Sequence, residues 1–349
     1  MPSRFPALLR ASAAFAALAA PGAAALAAQI GFEEVQIANA AEPPLTVGIW
    51  YPSDAPTAQH RLGAFTQTVA LGAPVAGRGL PLVVLSHGGG GSYDGHYDTA
   101  LALARAGFVA AAVSHAGDTH DDQSQALRLW RRPAQLRRLV SYMLEEWPQG
   151  GRLDATRVGA FGFSNGGFTV LVSLGGVPDL GTIGPYCQAN PDHDLCQTLK
   201  ESGVDPSRAI DVPPGAWTPD PRIKAAAIAA PAFGFAFDRA GLQDVHVPIQ
   251  LWRAAEDHHQ PNPWYEEVVR LNLPRAPDYH VVAGAGHYAF LPPCGPRLTA
   301  MAPRICTDPP AFDRAAFHLT FNAQIVRFFQ IHLRKTAPPL GRRRVRRGR

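Results

Sequence analysis

The sequence contains no C-x-x-C pair, no lysine spaced after a glycine run as a nucleotide-binding loop requires, and no internal repeat. These absences set aside a four-cysteine zinc site, a phosphate loop and a repeat architecture. Charge is also sparse: 17% of residues are charged against 46% hydrophobic, so a chain of 349 residues can bury a sizeable core and is not disordered. The formal charge of +4 misleads, because six arginines fall within 341–349 and the rest of the chain is slightly acidic. Nucleic acid is therefore not an expected partner. The arginine tail at 341–349 reads as a solvated end, with a weak contact to anionic envelope lipid or polysaccharide as the functional alternative.

Arg4 and Arg10 precede a short apolar run at 11–20, followed by Pro21-Gly22 and by Ala25-Leu26-Ala27, which suits a cleavage site. The run is short for a membrane span, so residues 1–27 are expected to be a secretory signal and the mature chain periplasmic or secreted. Four cysteines in an exported chain fit two disulfides. Three pairings exist, of which Cys187 with Cys196 and Cys294 with Cys306 are the sequence-local choice. Gly and Pro, 33 of each, call for many turns and long loops.

Residues 31–51 alternate apolar and polar positions around Glu42-Pro43-Pro44, which predicts an antiparallel hairpin at a sheet edge. After a Pro/Gly-rich connection, 80–86 is nearly continuously apolar, as in a parallel strand covered on both faces. Helix and strand then alternate: a helix at 97–105, a strand at 108–114, and a helical stretch at 124–147 that Pro133 must interrupt or restart. A strand at 158–163 leads into a helix at 165–174. Residues 178–221, rich in Pro, Asp and Gly, read as an insertion over the active face. Strands at 223–230, 247–253 and 279–283 follow, with a helix at 264–271 between the last two and a closing amphipathic helix at 311–333. Such alternation implies a mostly parallel sheet with helices on both faces, with ligands at the carboxyl ends of its strands.

The residues after those strands carry the chemistry. Gly162-Phe163-Ser164-Asn165-Gly166 reads as a nucleophilic serine on a strained strand-to-helix turn, with glycines where a side chain would collide. Alone the pattern is weak; its partners give it weight. Ser86-His87 is followed by Gly88-Gly89-Gly90-Gly91, whose backbone N–H groups suit an oxyanion hole. The N–H groups of Gly89 and Asn165 are the expected donors, each worth about 3 kcal/mol of barrier. Two carboxylates, Glu256 and Asp257, follow a later strand, and His287 follows the last one in Gly284-Ala285-Gly286-His287. The chain order serine, acid, histidine is that of the α/β-hydrolases. His287 can take the serine proton near neutral pH, and a carboxylate fixes its tautomer.

Over 31–333 the chain resembles α/β-hydrolases of the bacterial dienelactone-hydrolase-like and platelet-activating-factor-acetylhydrolase-like group. The resemblance rests on Ile49-Trp50-Tyr51-Pro52, Leu85-Ser86-His87-Gly88, Arg157-Val158-Gly159, Gly162-Phe163-Ser164-Asn165-Gly166-Gly167, Asp220-Pro221-Arg222-Ile223-Lys224-Ala225 and Gly284-Ala285-Gly286-His287. It implies an α/β-hydrolase domain at 28–340; the insertion at 178–221, holding Cys187 and Cys196, reads as lid-like, with a purely structural excursion as the alternative. It also implies Ser164 as nucleophile, His287 as base, and Gly89 with Asn165 as oxyanion donors. Dienelactone hydrolases carry cysteine where this chain has Ser164. The acetylhydrolases place their acid after the strand following the nucleophile helix, where this chain reads Ala229-Ala230-Pro231-Ala232. The acid is therefore expected from the next strand, at Asp257, with Glu256 second and Asp238 third.

His115, Asp118, His120, Asp121 and Asp122, with His258 and His259, are dense enough to suggest a metal. Their spacing matches no ligand pattern, so a solvated polar loop is the preferred reading and neither metal nor cofactor is expected. Phe163, Phe233, Phe235, Phe237, Tyr288 and Phe290 divide between acyl pocket and core. The expected function is an exported serine carboxylesterase acting on small or short-acyl esters. The same groups serve an amidase, a peptidase or an acyltransferase; a non-catalytic envelope binding protein would not need all three triad types.

Overall fold

A computed structural model describes residues 29–335 except 41, 207 and 209–211. The expected leader at 1–27 and the arginine tail at 341–349 lie outside the described residues.

The strands are β1 (Gln29–Asn39), β2 (Glu42–Ser53), β3 (Ala58–Leu62), β4 (Phe65–Leu71), β5 (Leu80–Ser86), β6 (Val109–Val113), β7 (Leu153–Phe163), β8 (Ile223–Ala229), β9 (Ile249–Ala254) and β10 (Asp278–Val282). The helices are α1 (Tyr97–Arg105), α2 (Arg131–Ser141), α3 (Asn165–Ser173), α4 (Ile183–Ala189), α5 (Asp194–Glu201), α6 (Glu266–Asn272), α7 (Pro296–Met301), α8 (Pro303–Cys306) and α9 (Arg314–His332). One sheet runs β10-β9-β8-β7-β5-β6-β2-β1-β4-β3. The six strands from β10 to β6 are mutually parallel. β5 and β6 are buried almost throughout, which is why they read as unbroken apolar runs. Successive side chains leave a strand on opposite faces, so Leu82 and Val84 join one core with α2 and α3, while Val83 and Leu85 join the other with α1 and α9.

Three expectations are corrected. The β1–β2 hairpin forms but is not at the edge, because β3 and β4 extend the sheet beyond it. These two short strands escape notice because β3 is mostly exposed and carries no apolar face; Gly63, at φ 57°, makes the turn between them. The β1–β2 bend falls at Ala40, φ 48°, so Glu42-Pro43-Pro44 begins β2 rather than forming the turn. Of the helical stretch expected at 124–147, residues 124–130 are not helix: α2 starts only at Arg131, and Pro133, expected to interrupt or restart the stretch, lies in its first turn, where a missing N–H costs nothing.

Both sequence-local disulfides are present. Cys187–Cys196 ties α4 to α5 inside the insertion, and Cys294–Cys306 closes the loop that carries α7 and α8. No helix among the described residues is long and apolar enough to cross a membrane.

Candidate active site

β7 ends against α3 with Ser164 between them at φ 54°, ψ −120°, a conformation that costs a non-glycine residue energy and lifts its side chain out of the turn. The flanking glycines are required by contact. A β-carbon on Gly162 would meet the Gly166 carbonyl, and one on Gly166 would meet the carbonyl of Ser86, where β5 ends. Gly166→Ala is therefore expected to lower stability by about 1–3 kcal/mol, as overpacking against backbone does, measured by thermal unfolding.

The Ser164 Oγ lies 3.2 Å from His287 Nε2, and His287 Nδ1 lies 2.7 Å from Asp257 Oδ2. The second carboxylate oxygen, Asp257 Oδ1, accepts the backbone N–H groups of His259 at 2.9 Å and Gln260 at 2.8 Å. Asp257 and His287 are 6% and 7% exposed, so little solvent screens the pair. Burial pushes the Asp257 carboxyl up, but the charge and hydrogen bond of His287 and the backbone N–H of Gln260 outweigh it, leaving the group below its usual 3.8. Such a lowered carboxylate adds stability above the usual carboxylate range, and that stability is lost as pH falls through the lowered value.

Glu256 does not join this chain. Its side chain is exposed, although its backbone N–H bonds the Ala285 carbonyl at 2.8 Å and so fixes the acid loop beside the histidine loop. Asp238 is also exposed and accepts the Gly241 N–H, at 2.6 Å.

Gly89 and Asn165 are brought together: a β-carbon on Gly89 would sit 2.8 Å from Asn165 Nδ2, and one on Gly88 would sit 3.4 Å from the Ser164 Cβ. The Gly89 N–H donates to no other group among the described residues, and Asn165 opens α3, where the first N–H groups lack helical acceptors.

A buried polar network holds this loop. Arg132 donates to Asp118 at 2.5 Å, to Thr169 Oγ1 at 3.1 Å and to the His87 carbonyl. Asp118 Oδ1 accepts the Gly90 N–H at 2.9 Å, and the Thr169 hydroxyl donates to the Asn165 carbonyl at 2.7 Å. Arg132 is thus linked to the backbone on both sides of the expected oxyanion hole. His87 Nδ1 donates to the Gly88 carbonyl at 2.6 Å, while its Nε2 accepts the His115 N–H at 3.0 Å. Burial, reinforced by the Arg132 charge, holds His87 and His115 well below the usual histidine range, so both stay neutral.

This network absorbs two members of the histidine–aspartate cluster, His115 and Asp118. His120, Asp121, Asp122 and His258 are exposed, and no group of three or more His, Cys, Asp or Glu among the described residues is arranged to hold a metal ion. His259 faces the insertion: its Nδ1 meets Asp194 Oδ2 at 2.5 Å, and Arg304 reaches Asp194 at 3.3 Å. Asp194 opens α5 and Arg304 lies in α8, so the two disulfide-bearing segments meet over the acid loop, with the His259 ring 5.2 Å from that of His287. Of the six aromatics, Phe163, Phe237 and Phe290 are core, whereas Phe233, Phe235 and Tyr288 are partly exposed.

Sequence reasoning missed Arg132 and Gln260. Gln260 is 5% exposed and its Nε2 lies 3.3 Å from the Ser164 Oγ. The one signal for it is position, three residues after Asp257 and just before Pro261.

No family model matches the sequence, and no curated protein is significantly similar to it. Solved structures are similar in fold. A ferulic acid esterase from Streptomyces cinnamoneus superposes with a TM-score of 0.61 at 20% identity, covering 91% of this chain and 94% of that one. A dienelactone hydrolase from Anabaena variabilis gives a TM-score of 0.48 at 14% identity, covering 88% of this chain and 100% of that one. With its parallel sheet flanked by helices and the serine turn between β7 and α3, the chain has the α/β-hydrolase fold.

Proposed function

We propose that the protein is an exported serine hydrolase that cleaves small or short-acyl carboxylic esters through an acyl-enzyme. The observation that carries this is the unbroken chain Ser164 Oγ, His287 Nε2, His287 Nδ1, Asp257 Oδ2, with Ser164 lifted out of a strained turn. Ser164 Oγ attacks the ester carbon while His287 Nε2 takes its proton. The N–H groups of Gly89 and Asn165 hold the oxyanion. His287 then returns the proton to the leaving alcohol, and water enters by the same path to release the acid.

The Streptomyces neighbour is named an esterase, which supports ester hydrolysis as the reaction class. The two disulfides support folding in an oxidising compartment, in keeping with the leader at 1–27. The test is a panel of p-nitrophenyl esters of increasing acyl length beside aminoacyl amides, with Ser164→Ala as control. Turnover should be highest on short acyl esters; amides cleaved faster than every ester would overturn the reading.

A further inference from the structure

Gln260 is placed where the hydrolytic step needs a group that the triad does not supply. Its backbone N–H holds Asp257 Oδ1 at 2.8 Å and its side-chain Nε2 donates to the Ser164 Oγ at 3.3 Å. The orientation of the amide follows from chemistry: the Ser164 hydroxyl proton is directed to His287 Nε2, so the third group at Oγ must be a donor. That leaves the amide oxygen, Oε1, buried beside the nucleophile with no partner among the described residues. An unpaired buried acceptor leaves a desolvation cost unrecovered. A donor that arrives only during turnover would recover that cost.

We infer that Gln260 is a further catalytic residue that orients the hydrolytic water in deacylation. The inference rests on the serine acyl-enzyme reading above. A water poised to attack the acyl carbon has two protons, of which His287 Nε2 takes one as general base; the other has no acceptor in the triad. Gln260 Oε1 accepts it and fixes the oxygen lone pair on the acyl carbon. The water oxygen bonds to that carbon, its first proton passes to His287, and the tetrahedral intermediate collapses by breaking the carbon–Oγ bond. The departing Oγ receives the proton from His287 and a hydrogen bond from Gln260 Nε2. The products are the free acid and Ser164, so atoms and protons balance without a co-reactant. An alcohol entering instead of water has one proton, which His287 takes, and does not require Oε1.

The test compares wild type, Gln260→Leu and Gln260→Glu on a p-nitrophenyl ester by pre-steady-state kinetics, with and without methanol as competing acceptor. In Gln260→Leu, deacylation should slow about 100-fold, the cost of a misplaced reactant, and by a larger factor than acylation, giving a visible burst. The ratio of methyl ester to free acid should rise at least tenfold. Gln260→Glu keeps an acceptor but not the donor, so both steps slow while the product ratio stays within about twofold of wild type. Because a product ratio does not depend on how much enzyme is folded, it separates this role from a structural one. An unchanged ratio in Gln260→Leu, or acylation and deacylation slowed equally, would overturn the inference. A wild type that forms no acyl-enzyme on Ser164 would instead sink the serine reading on which it rests.

Discussion

Ser164→Ala should lower kcat for short-acyl ester hydrolysis by about 10⁶-fold, the loss seen when the nucleophile of a serine–histidine–acid triad is removed. The size follows from the mechanism, since without Oγ no acyl-enzyme forms and only the oxyanion donors and binding remain to assist direct attack by water. Alanine is as strained as serine at φ 54° and loses only a hydroxyl, so the fold should persist. Steady-state kinetics with a thermal melt as control measures both. A folded variant within tenfold of wild type would mean that Ser164 is not the nucleophile.

Asp257→Asn is the second large effect, about 10⁴-fold in kcat with little change in fold. Asparagine can keep the contacts to the N–H groups of His259 and Gln260 through its oxygen, but it then turns an NH₂ toward His287 Nδ1. The imidazole answers by carrying its proton on Nε2, and it can no longer take one from Ser164. Glu256→Gln, one residue away, should change kcat by less than about threefold, because an exposed side chain outside the hydrogen-bonded chain has no share in the tautomer. Comparable losses in the two variants would refute the assignment of the acid.

The parallel half of the fold is legible in the sequence because burial on both faces writes itself as unbroken apolar runs. β5 and α1 fall at the residues read from composition alone, and β7 and α3 differ from them only at their outer ends. The outer half is not legible: β3 has no apolar face, and the β1–β2 bend uses Ala40 rather than a glycine or proline that would announce it. At the site, Ser164, His287 and the loop of Gly89 can be found because their chemistry demands particular residue types after strands. Chain order admits both Glu256 and Asp257 and does not separate two neighbours; the structure brings only Asp257 to the histidine. Arg132 and Gln260 could not be found this way. An arginine in a helix reads as exposed until its partners, Asp118 and the His87 carbonyl, are seen to come from other segments. A glutamine in a polar loop carries no spacing rule; only three-dimensional proximity to Ser164 gives it meaning.

The proposed chemistry requires Ser164 to be an activated nucleophile. Intact-protein mass spectrometry after treatment with a fluorophosphonate tests that most directly. The expected result is one adduct per chain on wild type, located at Ser164, absent from Ser164→Ala and formed far more slowly on Asp257→Asn. A folded wild-type chain that takes up no label, or an adduct that persists in Ser164→Ala, would contradict it.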